Sequence, residues 1–132
     1  MSPTDGRVIS NLLTQSIKGL PITIYGNGSQ TRSFCYVDDL ISGIVLMMDS
    51  PPEFSGPVNL GSLQEFSILE LLDLIRLCFG HELQVRFLDL PLDDPKMRRP
   101  DTSLAERVLG WSARIQLKDG IERTIAYLES VL

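Results

Sequence analysis

The chain has 132 residues, 43% of them hydrophobic and 22% charged, a composition that suits one folded domain burying roughly two thirds of its unfolded surface and excludes disordered or fibrous classes. A formal net charge of -5 excludes generic nucleic-acid binding, which needs a dense basic field, so an anionic ligand has to be held by local arginines. The longest apolar stretch, Ile44 to Met48, falls far short of the roughly twenty residues that cross a bilayer, and the first residues show no signal or transit pattern; the expectation is a cytoplasmic chain with no membrane contact.

In chain order, Val8, Leu12, Leu13 and Ile17 recur at helical spacing before the Gly19-Leu20-Pro21 stop, predicting a helix over 6–18. Pro21 to Tyr25 is β-branched and runs into Gly26-Asn27-Gly28-Ser29, a strand entering a turn. Ser33 to Val37 reads as a short strand. Asp38 and Asp39 then place acids at the positive end of an apolar, largely buried helix that ends near Ser50-Pro51-Pro52. Pro57 to Leu60 predicts a brief strand. Ser67-Ile68-Leu69-Glu70 matches a capping box and opens a helix through Phe79, closed by Gly80. The alternation from Leu83 to Leu88 predicts a half-buried strand. After a loop with Pro91, Pro95 and Pro100, Ser103 to Glu106 matches a second capping box for a short helix stopping at Gly110. Leu117 to Leu132 closes the chain as an amphipathic helix. The order is mixed α/β with short strands, without repeat or linker, and the expectation is one domain over 1–132.

Cys35 and Cys78 sit among apolar residues and read as buried free thiols. His81 has no cysteine or histidine at ligand spacing and reads as a solvated helix-end residue. No metal site is expected. Gly26 and Gly28 lack the third glycine of a dinucleotide loop, since that position is Thr31, so they read as turn residues.

Four segments carry chemistry. Tyr25-Gly26-Asn27-Gly28-Ser29-Gln30-Thr31-Arg32-Ser33-Phe34-Cys35-Tyr36-Val37-Asp38-Asp39 resembles the YGxGxQxRxFxYVxD stretch of extended short-chain dehydrogenases/reductases, the NAD-dependent epimerase/dehydratase family acting on nucleotide sugars. Asn59-Leu60-Gly61 is similar to the family's NLG strand end. Asp93-Asp94-Pro95-Lys96-Met97-Arg98-Arg99-Pro100-Asp101 with Leu109-Gly110-Trp111 is similar to its DDPxxRxPD…LGW signature. Asp5-Gly6-Arg7-Val8-Ile9-Ser10-Asn11 resembles the DGRVVSNF segment of UDP-glucuronate decarboxylases, where a dTDP-glucose 4,6-dehydratase is expected to carry lysine in place of Arg7.

The resemblance implies roles. Arg32 and Arg98 clamp the diphosphate, a task that suits the planar paired donors of guanidinium. Arg7 meets the sugar carboxylate and assists the chemical step. Asn59 meets phosphates or ribose, and Asp101 lies near the ribose hydroxyls. Thr23, Ile24 and Tyr25 present a strand edge to the base, and Gln30, Val8 and Asn11 complete the substrate set. For Arg32 the bland alternative is a salt bridge to Asp38 or Asp39, and for Asp101 a helix cap.

The same resemblance covers the chain only as the C-terminal, substrate-binding half of the family's usual length, with Met1 falling where the family has an internal methionine. The Rossmann half, its NAD loop and the Tyr-x-x-x-Lys pair lie outside it: four residues after Tyr25, Tyr36 and Tyr127 stand Ser29, Leu40 and Val131. The implied complete reaction oxidises the sugar at C4 with NAD, releases the C5 carboxylate as carbon dioxide and returns the hydride. This chain alone is expected to hold no cofactor, to be inactive, and to bind a UDP-sugar. Expected partners are the Rossmann half or a second copy, met through the apolar surface that half would cover. The alternatives are half of a 4,6-dehydratase or UDP-sugar epimerase, and a non-catalytic interaction module.

Overall fold

A computed structural model describes residues 2–132; Met1 and the motif alignment made on it lie outside the described residues. Among the described residues five helices and four short strands follow one another: α1 (Val8–Ile17), β1 (Ile22–Tyr25), β2 (Thr31–Ser33), α2 (Val37–Met48), β3 (Glu65–Ser67), α3 (Ile68–Phe79), β4 (Val85–Leu88), α4 (Ser103–Leu109) and α5 (Leu117–Val131). The mixed α/β expectation holds.

The core follows from the helical periodicities. Leu12 and Leu13 of α1, Leu71, Leu72 and Ile75 of α3, and Ile121 and Leu128 of α5 close around Ile22 and Ile24, the inward pair of β1. All nine are at most 2% exposed, so each contributes on the order of 1.5–3 kcal/mol of apolar burial. β1 pairs in parallel with β4, Ile22 opposite Val85 through Tyr25 opposite Leu88. Parallel strands need a long crossover, and here β2, α2, β3 and α3 provide it. β2 pairs antiparallel with β3, Arg32 opposite Phe66.

The α3 capping box forms as predicted. The Glu70 amide donates to Ser67 Oγ at 3.1 Å, and the Ser67 amide donates to the Glu70 carboxylate at 2.8 Å. Gly80 ends the helix in the left-handed region at φ 70°, where side chains with a Cβ are disfavoured.

Several boundaries differ from expectation. The β-type run at 33–37 splits: its ladder lies at Thr31–Ser33, while Val37 already begins α2. Pro57 to Leu60 makes no strand, because no described strand lies beside it to complete a ladder, and the pairing partner of β2 is instead the unanticipated β3. The second capping box is absent. Thr102 caps α4 without a side-chain bond, and the Asp101 carboxylate accepts from the Ser103 amide at 3.0 Å.

The largest correction concerns α2, which is apolar without being largely buried. Asp39 and Gly43 are its buried residues, whereas Val37, Ile41, Ile44, Val45 and Met48 stand 47–79% exposed at a spacing that gathers them on one face. The inner face is tied down by Asp39. Its carboxylate accepts from the amides of Arg114 (3.0 Å) and Ile115 (2.9 Å), and its carbonyl accepts from Trp111 Nε1 at 2.9 Å. Gly43 lets Leu60 and Trp111 approach this face, since a Cβ there would lie 2.8 Å from Leu60 and 3.0 Å from the indole nitrogen.

Cys35 and Cys78 are free and half-buried. Burial pushes the Cys35 thiol up to about 11, with Asp39 adding to the shift. His81 is exposed just past α3, with Nδ1 3.0 Å from the Glu82 carbonyl oxygen.

Candidate functional site

The outer edge of β1 sets the site. In a parallel ladder alternate residues bond to the partner. Ile22 and Gly26 donate toward β4, to Gln84 and Leu88, so Thr23 and Tyr25 direct their main-chain groups the other way. Two glutamines take one group each. The Thr23 amide donates to Gln15 Oε1 at 3.0 Å while Gln15 Nε2 donates to the Thr23 hydroxyl at 2.9 Å. Gln30, held at 9% exposure, donates to the Tyr25 carbonyl at 2.8 Å. The Thr23 carbonyl and the Tyr25 amide remain, an acceptor and a donor with no partner among the described residues.

That edge forms one wall of a cleft of about 420 Å³. Thr23, Ile24, Tyr25, Gln30 and Arg32 line it from β1, the following turn and β2; Arg7, Val8 and Asn11 line it from the start of α1; Arg98 reaches it from the loop after β4. The two arginines singled out from separate motifs therefore face one cavity. Asn59 and Asp101 do not line it. They meet each other instead, Asn59 Nδ2 donating to the Asp101 carbonyl at 3.2 Å, and the Asp101 carboxyl is held below its ordinary range by the Ser103 amide and hydroxyl.

Sequence reasoning missed Asp94, which also lines the cleft. Arg32 Nη2 donates to its carboxylate at 2.7 Å, and Nη1 donates to the Thr31 carbonyl at 2.7 Å. The expected bland partners, Asp38 and Asp39, are engaged elsewhere: Asp38 pairs with Arg123 at 3.6 Å and Asp39 with the backbone before α5. The signal was present, since Asp94 is the second acid of the Asp-Asp-Pro motif. What sequence could not supply is that this loop folds back on β2, where the Thr31 amide donates to the Lys96 carbonyl at 2.9 Å.

At the cleft mouth Arg7 is 83% exposed and 4.0 Å from Asp5. Asp5 accepts from the Ser10 hydroxyl and from the Arg7 amide, and these two bonds hold its carboxyl below the usual range. They fix the backbone at Arg7, whose side chain stands largely in solvent with only the long contact to Asp5.

The glycine turn does not fit a dinucleotide. A Cβ at Gly28 would lie 2.8 Å from Leu69, and one at Gly26 3.3 Å from Leu90, so protein side chains occupy the space a pyrophosphate needs. The turn also leads into β2 and not into a helix, and thus offers no N-terminal amides to phosphate.

Residues 1–61 match the model of the NAD dependent epimerase/dehydratase family. UDP-glucuronic acid decarboxylase 1 of Danio rerio is 43% identical over 132 residues, 100% of this chain and 31% of that protein. UDP-glucuronic acid decarboxylase 3 of Arabidopsis thaliana is 36% identical over 121 residues, 92% of this chain and 35% of that protein. The crystal structure of UDP-glucuronic acid 4-epimerase from Bacillus cereus in complex with UDP-glucuronic acid and NAD superposes with a TM-score of 0.93 at 29% identity, covering 100% of this chain and 42% of that one. The chain thus spans about a third of the length of the curated relatives it matches. The resemblance drawn from the four motifs is borne out, and the mixed α/β fold is that of part of an extended short-chain dehydrogenase.

Proposed function

We propose, taking that resemblance as the premise, that residues 1–132 act as one nucleotide-sugar-binding domain of a UDP-glucuronate decarboxylase-like, NAD-dependent enzyme, and that the chain by itself binds without catalysing. The observation that carries this reading is the convergence of Arg32 and Arg98 on one cleft whose other wall is a free strand edge. Two guanidinium groups from separate loops suit a diphosphate. Each charge-assisted bond contributes about 1.5–3 kcal/mol in place of water.

On this reading the base lies against β1, where the Thr23 carbonyl and Tyr25 amide offer an acceptor and a donor to a pyrimidine edge. The diphosphate lies between Arg32 and Arg98, and the sugar points toward α1. Arg7 there suits a substrate that carries a carboxylate, with Val8 and Asn11 beside it. The assignments of Asn59 and Asp101 rest on the motif resemblance alone. NAD is the hydride acceptor implied for the complete enzyme, and the glycine turn of this chain does not fit it. We therefore assign the hydride and the proton transfers to residues outside this sequence. A 4,6-dehydratase or epimerase half shares the clamp; Arg7 separates the decarboxylase reading from the dehydratase, which is expected to carry lysine there.

Isothermal titration tests the proposal. UDP and UDP-glucuronate should bind in the millimolar range or tighter, and silence from a folded sample would overturn it. Arg7→Ala should weaken UDP-glucuronate while leaving UDP unchanged; the absence of a selective loss for UDP-glucuronate argues for the dehydratase alternative.

A second role rests on a separate observation. The exposed apolar face of α2 adjoins a cavity of about 330 Å³ lined by Ile44, Met47, Met48, Val58, Leu60 and Leu109, and the Val58–Leu60 backbone runs beside it unpaired. An apolar face of this extent marks a contact surface. We assign it to the Rossmann half of the family architecture, with a second copy of this chain as the substitute when that half is missing.

A further inference from the structure

Resting on the nucleotide reading above, the geometry points to a role for the one carboxylate in the cleft. Arg7, Arg32 and Arg98 line it together with Asp94, and an acid in an anion site opposes the ligand unless it has work of its own. Asp94 does not sit at the margin. Its Oδ1 lies 2.7 Å from Arg32 Nη2, and the Arg32 side chain is only 16% exposed. A guanidinium so far removed from water is costly without a counter-charge. The Thr31 carbonyl, its other acceptor, supplies a dipole and no charge.

A phosphate entering between Arg32 and Arg98 needs the donor that Asp94 holds, and a carboxylate left beside it would repel it. We propose that Asp94 is a resident counter-anion: it neutralises Arg32 while the cleft is empty and is displaced from Nη2 by the ligand's phosphate. Asp94 then determines specificity. A ligand carrying a diphosphate can displace it, and a neutral nucleoside, which brings nothing to exchange for it, cannot. The Lys96 carbonyl, which accepts from the Thr31 amide, holds the loop carrying both Asp94 and Arg98 against β2 whether or not Asp94 is displaced.

The test titrates UDP and uridine into the 132-residue chain as wild type, Asp94→Asn and Asp93→Asn. Asp93 is exposed and outside the cleft, so it removes the same charge without touching Arg32. The expected result is about fivefold tighter UDP binding for Asp94→Asn, a smaller gain for Asp93→Asn, and uridine unchanged throughout. Should Asp94→Asn fold poorly, the wild type still answers: the Asp94 carboxyl carbon resonance should shift on adding UDP and stay fixed on adding uridine. UDP binding that is unchanged or weaker in Asp94→Asn, equal gains in both variants, or a resonance indifferent to UDP would overturn the inference while leaving the nucleotide reading intact. A folded wild type that ignores UDP removes the reading and the inference together.

Discussion

Arg32 and Arg98 line one cleft but would meet the proposed diphosphate from different starting points. Arg98 is exposed and pairs with no described carboxylate, so its removal costs ligand contact and little else. Arg98→Ala should weaken UDP binding roughly tenfold to a hundredfold, the equivalent of one charge-assisted bond, with an unchanged denaturation midpoint. Arg32→Lys keeps the charge but loses the planar fork that holds the Thr31 carbonyl and Asp94 and that would offer paired donors to phosphate once Asp94 is displaced, and should lose both affinity and stability. At this scale the sequence was informative where chemistry needs a rare residue type, as with the two arginines, and silent where it needs a partner. Asp94 and Asp39 are ordinary acids in acid-rich segments, and only the fold reveals that one faces Arg32 and the other two backbone amides. Cys35 gives a pH consequence. Its thiol is raised from 9.0 to about 11, so the folded state disfavours the thiolate, and the stability this represents is full below pH 9 and is lost as pH rises toward 11. Urea denaturation of wild type and Cys35→Ala across that range should show the wild type declining more steeply.

α2 shows why an element can be recognised and still misplaced. Its hydropathy announces burial on all sides, but burial needs a neighbour, and the described residues supply one on a single face. The two faces should respond oppositely to substitution. Gly43→Val drives a branched side chain into Leu60 and Trp111 and should cost roughly 1–3 kcal/mol, whereas Ile41→Glu, 53% exposed, should stay within about 0.5 kcal/mol. Chemical denaturation separates the two. Asp39→Ala, which strands the Arg114 and Ile115 amides, belongs with Gly43 and should cost roughly 2–4 kcal/mol. The strand errors have the same origin. Pro57 to Leu60 has strand-like residues but no ladder to join, while Glu65–Ser67 is short and polar yet paired, because the turn before Thr31 brings β2 alongside it. Helix α3 was legible to the residue because both its signals, the capping box and Gly80, are local.

The molecule as a whole joins an arginine-lined cleft to an apolar face, and the two can be addressed separately. Size-exclusion chromatography with light scattering should show self-association that Ile41→Glu reduces and saturating UDP leaves unchanged; a monomer at all concentrations would count against a second copy on α2. The mixed α/β fold class was implicit in the order of elements, and three of the four segments that carry the family resemblance, on α1, on β1 to β2 and in the loop after β4, line the cleft, while the Asn59 segment does not. The convergence of those three was not legible, because it depends on β4 returning to β1 across the crossover.

That return gives the cleft an unusual dependence on completed folding. The strand that presents Thr23 and Tyr25 is fixed by a neighbour synthesised some sixty positions later, from Val85 onward, and such distant pairings form late because a long loop must close first. An amino-terminal piece that ends before Val85 should therefore retain no nucleotide affinity. Ligand in turn should shield the interior of the crossover from protease, since whatever binds only the finished pairing draws the population toward it.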